Sequence, residues 1–146
     1  MYQHILVPVD GSATSDRALQ EAIRLARQQG AQLELVYVVE DIRLLDSDSY
    51  INYAGMQETL RSNGKKILAR AQMVVQLAGM AAEINLLEAH GERIASVIVE
   101  EAERWPADLI IIGTHGRSGF SRVLFGSVAE GVVRTAHIPV LLIRGA

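Results

Sequence analysis

The residues best suited to chemistry follow a short apolar run from Leu109 to Ile112. They read Gly113-Thr114-His115-Gly116-Arg117-Ser118-Gly119, then Phe120-Ser121-Arg122-Val123-Leu124-Phe125-Gly126-Ser127. Glycines let main-chain amides approach an anion with no Cβ in the way, and Ser127 sets a hydroxyl beside the free amides of a helix expected to begin near Val128. From Leu109 to Ala129 there is no Asp or Glu, whereas Arg117 and Arg122 are always cationic and His115 can become so. A locally positive, glycine-rich loop of this kind suits phosphate. The same residues also suit a plainer use, with Ser127 as a helix N-cap and the glycines as turn formers. A second candidate is Asp10, where Val9-Asp10-Gly11-Ser12 ends another apolar run. A carboxylate there can accept hydrogen bonds from ribose hydroxyls or an adenine amine, and Asp-Gly after a strand is equally a common turn.

Other chemistries find no support. Gly64-Lys65-Lys66 lacks the Ser/Thr and the upstream glycine of a Walker A loop, and the loop after Ile112 has no G-x-G-x-x-G. His4, His90, His115 and His137 are scattered, with no H-E-x-x-H or similar metal spacing. Phe120 stands where a nucleophile elbow needs its closing glycine, which argues against a serine hydrolase. With no cysteine there is no disulfide scaffold, thiol nucleophile or cysteine-ligated metal. The formal charge of -3, from 14 Lys+Arg against 17 Asp+Glu, has the wrong sign for a surface that binds nucleic acid throughout.

The candidate residues need elements to hold them. Five short runs rich in Val, Ile and Leu alternate with stretches of helical periodicity: Ile5 to Val9, Leu33 to Val39, Glu83 to Leu87, Leu109 to Ile112 and Val140 to Ile143. Nearly continuous apolar character in the second, fourth and fifth suits strands covered on both faces. The first helix is delimited by Ser12 as N-cap and by Gly30, the second covers about Met56 to Leu77 before Gly79, and the third carries Ile94, Ile98, Ala102 and Trp105 before Pro106. Residues 40–53, with Asp41, Asp46 and Asp48, show no clear period and read as a long surface connection. The alternation predicts an α/β fold, an open parallel sheet with helices on both faces, and a ligand crevice beyond the carboxyl ends of strands one and four. No repeat, linker or low-complexity tract divides the 146 residues, so 1–146 is expected to be one domain. No stretch is long and apolar enough for a bilayer and the first residues lack a secretion signal's pattern, so a cytoplasmic location is expected.

Taken together, these segments resemble the universal stress protein family. Its nucleotide signature G-x2-G-x9-G-S/T is met by Gly113, Gly116, Gly126 and Ser127, and the likeness extends to Ile5-Leu6-Val7-Pro8-Val9-Asp10-Gly11-Ser12 and to Ile138-Pro139-Val140-Leu141. The resemblance implies a Rossmann-like sheet of five strands in the order 3-2-1-4-5, similar to the adenine nucleotide alpha hydrolases, and homodimers. It also implies ATP between the loops after strands one and four. On that likeness Gly113, Thr114, Gly116, Gly126, Ser127 and Val128 would wrap the phosphates and ribose. Arg117 would neighbour the phosphates, and Pro8, Val9, Asp10 and Val38 would line the adenosine end, Val38 through its main chain. Mg2+ would arrive on the nucleotide, because it binds chiefly through substrate phosphates and water.

The reading that follows is an ATP-binding stress-response switch or sensor with at most slow hydrolysis or autophosphorylation. A nucleotide-independent dimeric interaction module of the same fold is the alternative. An adenosine-handling enzyme such as an ATP pyrophosphatase would need an S-G-G-x-D-S loop, which Val9-Asp10-Gly11-Ser12 does not supply. The last run, Ile138 to Ile143, is too apolar to stand as an uncovered sheet edge, which predicts a homodimer paired through it.

Overall fold

A computed structural model describes residues 1–42, 53–114 and 126–145. Successive side chains of a strand point to opposite faces, and the strands use both. In β1 (His4–Pro8), β2 (Gln32–Val39) and β4 (Leu109–Gly113), the residues Ile5, Val7, Leu33, Leu35, Leu109 and Ile111 enter one core. Leu6, Val36, Ile110 and Ile112 enter the other. With β3 (Ala82–Glu88) and β5 (Val140–Ile143) these strands form one parallel sheet ordered β3-β2-β1-β4-β5. Helices α1 (Ala13–Gln29) and α2 (Tyr53–Leu77) cover the first face, and α3 (Ile94–Arg104) and α4 (Ser127–Thr135) the second. This is the Rossmann-like α/β arrangement that the alternating pattern and the family resemblance anticipate.

The helix ends have local causes. Ser12 caps α1, its Oγ accepting the Ser15 amide at 3.1 Å, and Gly30 ends the helix at φ 68°. Only glycine takes that left-handed geometry without a Cβ penalty. Helix α2 lies close on the sheet because residue 64 is glycine: a Cβ there would come within 2.6 Å of the Tyr37 ring. Helix α3 stops at Trp105, whose ring meets the His4 ring edge-on at 5.0 Å. Asp108, just after, accepts the Gln3 and His4 amides at 2.8 and 3.0 Å and ties the start of β1 to β4.

Some boundaries differ from expectation. The β1 ladder ends at Pro8, although the Val9 amide still donates to the Val36 carbonyl at 2.8 Å. Helix α2 begins at Tyr53, ahead of Met56, because its first turn has no apolar stripe to reveal it. Helix α4 begins at Ser127, with Gly126 as the N-cap residue. Of the surface connection at 40–53, residues 43–52 lie outside the described residues. No described helix is long and apolar enough to cross a membrane.

Candidate functional site

The chain leaves β1 toward β2 on one side, and after β3 it crosses to β4 on the other, so the loops at the carboxyl ends of β1 and β4 part. A cleft of about 370 Å³ lies there. Pro8, Val9 and Asp10 from the end of β1, Val38 from β2, Gly113 and Thr114 from β4, and Gly126, Ser127 and Val128 from the start of α4 all line it. Gly116 and Arg117 lie outside the described residues, as do His115 and Arg122. The described lining carries the carboxylates of Asp10 and Glu40 and no Lys or Arg.

The sequence-predicted residues within the described chain each have a physical position. Gly113 is needed for packing, since a Cβ on it would stand 2.9 Å from the Thr14 carbonyl oxygen at the start of α1. The first glycine of the motif therefore brings β4 and α1 together whether or not an anion is present. Thr114 is 2% exposed. Its amide donates to the Ile143 carbonyl at 2.9 Å and its carbonyl accepts the Gly126 amide, so the chain leaves and re-enters at one point. Among the described residues its buried Oγ1 has no hydrogen-bond partner.

Gly126 adopts φ -65° and ψ 157° as the N-cap of α4 and offers no side-chain cap, which leaves Ser127 in the first helical turn and not in the capping role. The amides of a first turn have no acceptor inside their own helix, and the helix dipole adds partial positive charge. With Ser127, Val128 and Ala129 all on the cleft wall, that turn supplies anion-binding capacity in the absence of a described cation.

Asp10 serves the turn with one oxygen. Its Oδ1 accepts the Ser12 amide at 2.8 Å, and its own amide donates to Ser15 Oγ at 3.1 Å. Among the described residues Oδ2 has no partner, so the two uses open to Asp10 are compatible: one oxygen shapes the loop and the other is available to a ligand.

Sequence reasoning missed the apolar part of the lining. Ile94 and Ile98 of α3 line the cleft along with Ile112, an apolar patch on the same face of the sheet as α4. Their spacing marked them as a helix face. Because α3 starts at the carboxyl end of β3, its first turn falls at the crevice, and that placement was the available signal. A largely apolar lining with a few convergent polar groups is the usual form of a small-molecule site.

A second cavity of about 370 Å³ lies between Asp41, Gln57, Arg61, Glu88 and His90. Its arginine is already committed, with Arg61 Nε donating to Glu88 at 2.7 Å and Nη1 to Glu58 at 3.1 Å. Burial opposes ionisation of Glu88, but the hydrogen bond from Arg61 is the larger influence and holds its carboxyl below the ordinary range. An internally neutralised pair offers less to a ligand than the uncapped turn of α4.

A family model described as the Universal stress protein family matches residues 1–144. Universal stress protein MJ0531 of Methanocaldococcus jannaschii is 34% identical over 144 residues, covering 99% of this chain and 83% of that protein. A universal stress protein solved in complex with cAMP is 25% identical with a TM-score of 0.74, covering 99% of each chain. One from Archaeoglobus fulgidus in complex with dAMP is 27% identical with a TM-score of 0.70, covering 97% of this chain and 98% of that one.

Proposed function

The chain belongs to the universal stress protein family, and on that premise we propose that its cleft binds ATP and that occupancy switches the protein between states in a stress response. The observation that carries the reading is that, among the described residues, the first turn of α4 has no side-chain cap and the Thr114 hydroxyl has no partner, with both residues on the same cleft. Related structures hold cAMP and dAMP, so adenine nucleotides are the ligand class to be expected. The donor set fits. Gly113, Thr114, Gly126, Ser127 and Val128 take the phosphates and ribose, and Gly116 and Arg117 complete the phosphate side. Pro8, Val9, Asp10 and Val38, with the wall of Ile94 and Ile98, take the adenosine end.

Mg2+ enters on the phosphates in this reading. Among the described residues no group of three His, Cys, Asp or Glu could hold a metal on its own, and Mg2+ usually relies on phosphate and water ligands. ATP acts as a switch ligand by binding one conformation better than another, with hydrolysis or autophosphorylation slow at most. The proposal takes 1–146 as one domain working in the cytoplasm, where ATP is supplied, and as a homodimer joined through residues 138–143.

Equilibrium dialysis of the folded protein against ATP, ADP and AMP tests the reading. Saturable binding of ATP is expected. Gly126→Val should weaken it by about tenfold or more, a loss of about 1.4 kcal/mol, because the added branch crowds the first-turn amides. Its backbone angles suit any residue, so circular dichroism should be unchanged. A folded wild-type protein that binds none of the three nucleotides would refute the proposal.

A further inference from the structure

Beneath α3, at the end away from the cleft, the sheet carries a buried carboxyl that the nucleotide reading leaves unused. Glu34 is the third residue of β2, its side chain 0% exposed, in register with Leu6 of β1 and Glu83 of β3. Its Oε2 accepts a hydrogen bond from Asn85 Nδ2 at 2.6 Å and stands 3.7 Å from Arg104 Nη2. Its Oε1 is buried without a donor among the described residues. Glu101 of α3 reaches the same spot, is itself 5% exposed, and has both oxygens engaged by Arg104, at 2.7 Å from Nε and 2.5 Å from Nη2. The charged groups facing Glu34 are therefore Glu101 and Arg104 from α3 and Glu83 from β3, while β1 presents only Leu6.

One guanidinium cannot neutralise two buried carboxylates, and an ionised oxygen with no donor is among the most costly groups to bury. A proton on Oε1 removes both difficulties, because the oxygen becomes a donor whose natural acceptor is the Glu101 carboxylate. We propose that Glu34 is held as the neutral acid at neutral pH, its Oε1–H donating to Glu101, so that the junction of β2 and α3 is a one-proton site that holds the helix down and weakens its hold when the proton passes to solvent.

The electrostatic environment agrees in direction. Burial first, then the hydrogen bond with Glu101, push Glu34 up to about 8, outweighing the opposing hydrogen bond from Asn85 and charge of Arg104. Burial opposes ionisation of Glu101, but its hydrogen bonds with Arg104 and Glu34 outweigh that and hold it below the ordinary range. The pair behaves as two carboxyl groups sharing one proton. Since Ile94 and Ile98 of the same helix line the cleft, the proton site and the cleft share one helix. The proposal itself does not depend on what the cleft binds.

An acid whose folded value lies above its ordinary 4.5 stabilises fully below that value, and the contribution is lost as pH climbs to about 8. Carbon-13 NMR of the full chain labelled at glutamate carboxyls should show one signal titrating near 8 that is missing in Glu34→Gln. In urea, the wild-type unfolding constant should rise about tenfold per pH unit between roughly 5.5 and 7.5, relative to that of Glu34→Gln. If Glu34→Gln does not fold, Glu101→Gln serves, because removing the neighbouring charge should move the high signal down. Wild-type signals that all titrate below about 6, a Glu34→Gln protein with the wild-type slope, or a high signal unmoved in Glu101→Gln would each overturn the proposal.

Discussion

Thr114 holds a hydroxyl out of water with no partner to compensate it among the described residues, an arrangement that lowers stability by about 1–3 kcal/mol unless something binds there. Thr114→Val keeps the shape and removes the hydroxyl. Two opposite effects are expected: an apoprotein about 1 kcal/mol more stable in urea, and ATP affinity reduced by up to about tenfold in calorimetry. A structural role alone would leave affinity unchanged. Residue types in the glycine-rich segment were legible as chemistry, but their division of labour was not. Gly113 proves to be demanded by the Thr14 carbonyl, a contact between distant parts of the chain that no local pattern records. Asp10 was open between turn and ligand because both need a carboxylate at the same place, and the structure assigns one oxygen to the turn. Glu34 escaped notice inside Leu33 to Val39, since a single polar residue in an apolar run looks like a solvent-facing position until a helix is laid over it.

At the scale of elements, α2 is the most exacting contact. Ala at position 64 would improve helix propensity by about 1 kcal/mol, yet its Cβ would fall within 2.6–2.8 Å of Tyr37 and Leu86. Overpacking of that kind costs about 1–3 kcal/mol, so Gly64→Ala is expected to lower the melting temperature despite the better helix former; an unchanged or raised value would show that α2 packs elsewhere. The buried strands were readable because a strand covered on both faces must be apolar nearly throughout. Edge strand β3 was legible as an apolar run through Ile84, Leu86 and Leu87, but less continuous than the central strands because Glu83 and Asn85 interrupt it. Helix starts were harder. Ser12 gave α1 its beginning through a real cap, whereas Gly126 caps α4 with backbone alone, and Ser127 drew attention to the wrong position by one residue.

For the whole molecule, strand order was never contained in local periodicity, which says what forms strands but not which strands neighbour one another; the order 3-2-1-4-5 came with the family resemblance. The observed order leaves β3 and β5 at the edges. In β5, Leu141 is 38% exposed, an apolar side chain on a strand with one unpaired side. The proposed pairing of two copies along β5 would cover this edge, and light scattering at micromolar concentration should then give the dimer mass, shifting to the monomer in Leu141→Glu. A wild-type monomer would remove the dimer from the account. The central claim is that main-chain donors at the start of α4 receive the phosphates of an adenine nucleotide, and a crystal structure grown with ATP tests it most directly. The account predicts phosphate oxygens within about 3 Å of the Ser127 and Val128 amides, with the base against Ile94 and Ile98. ATP bound elsewhere, or a cleft closed by its own side chains in the presence of saturating nucleotide, would contradict it.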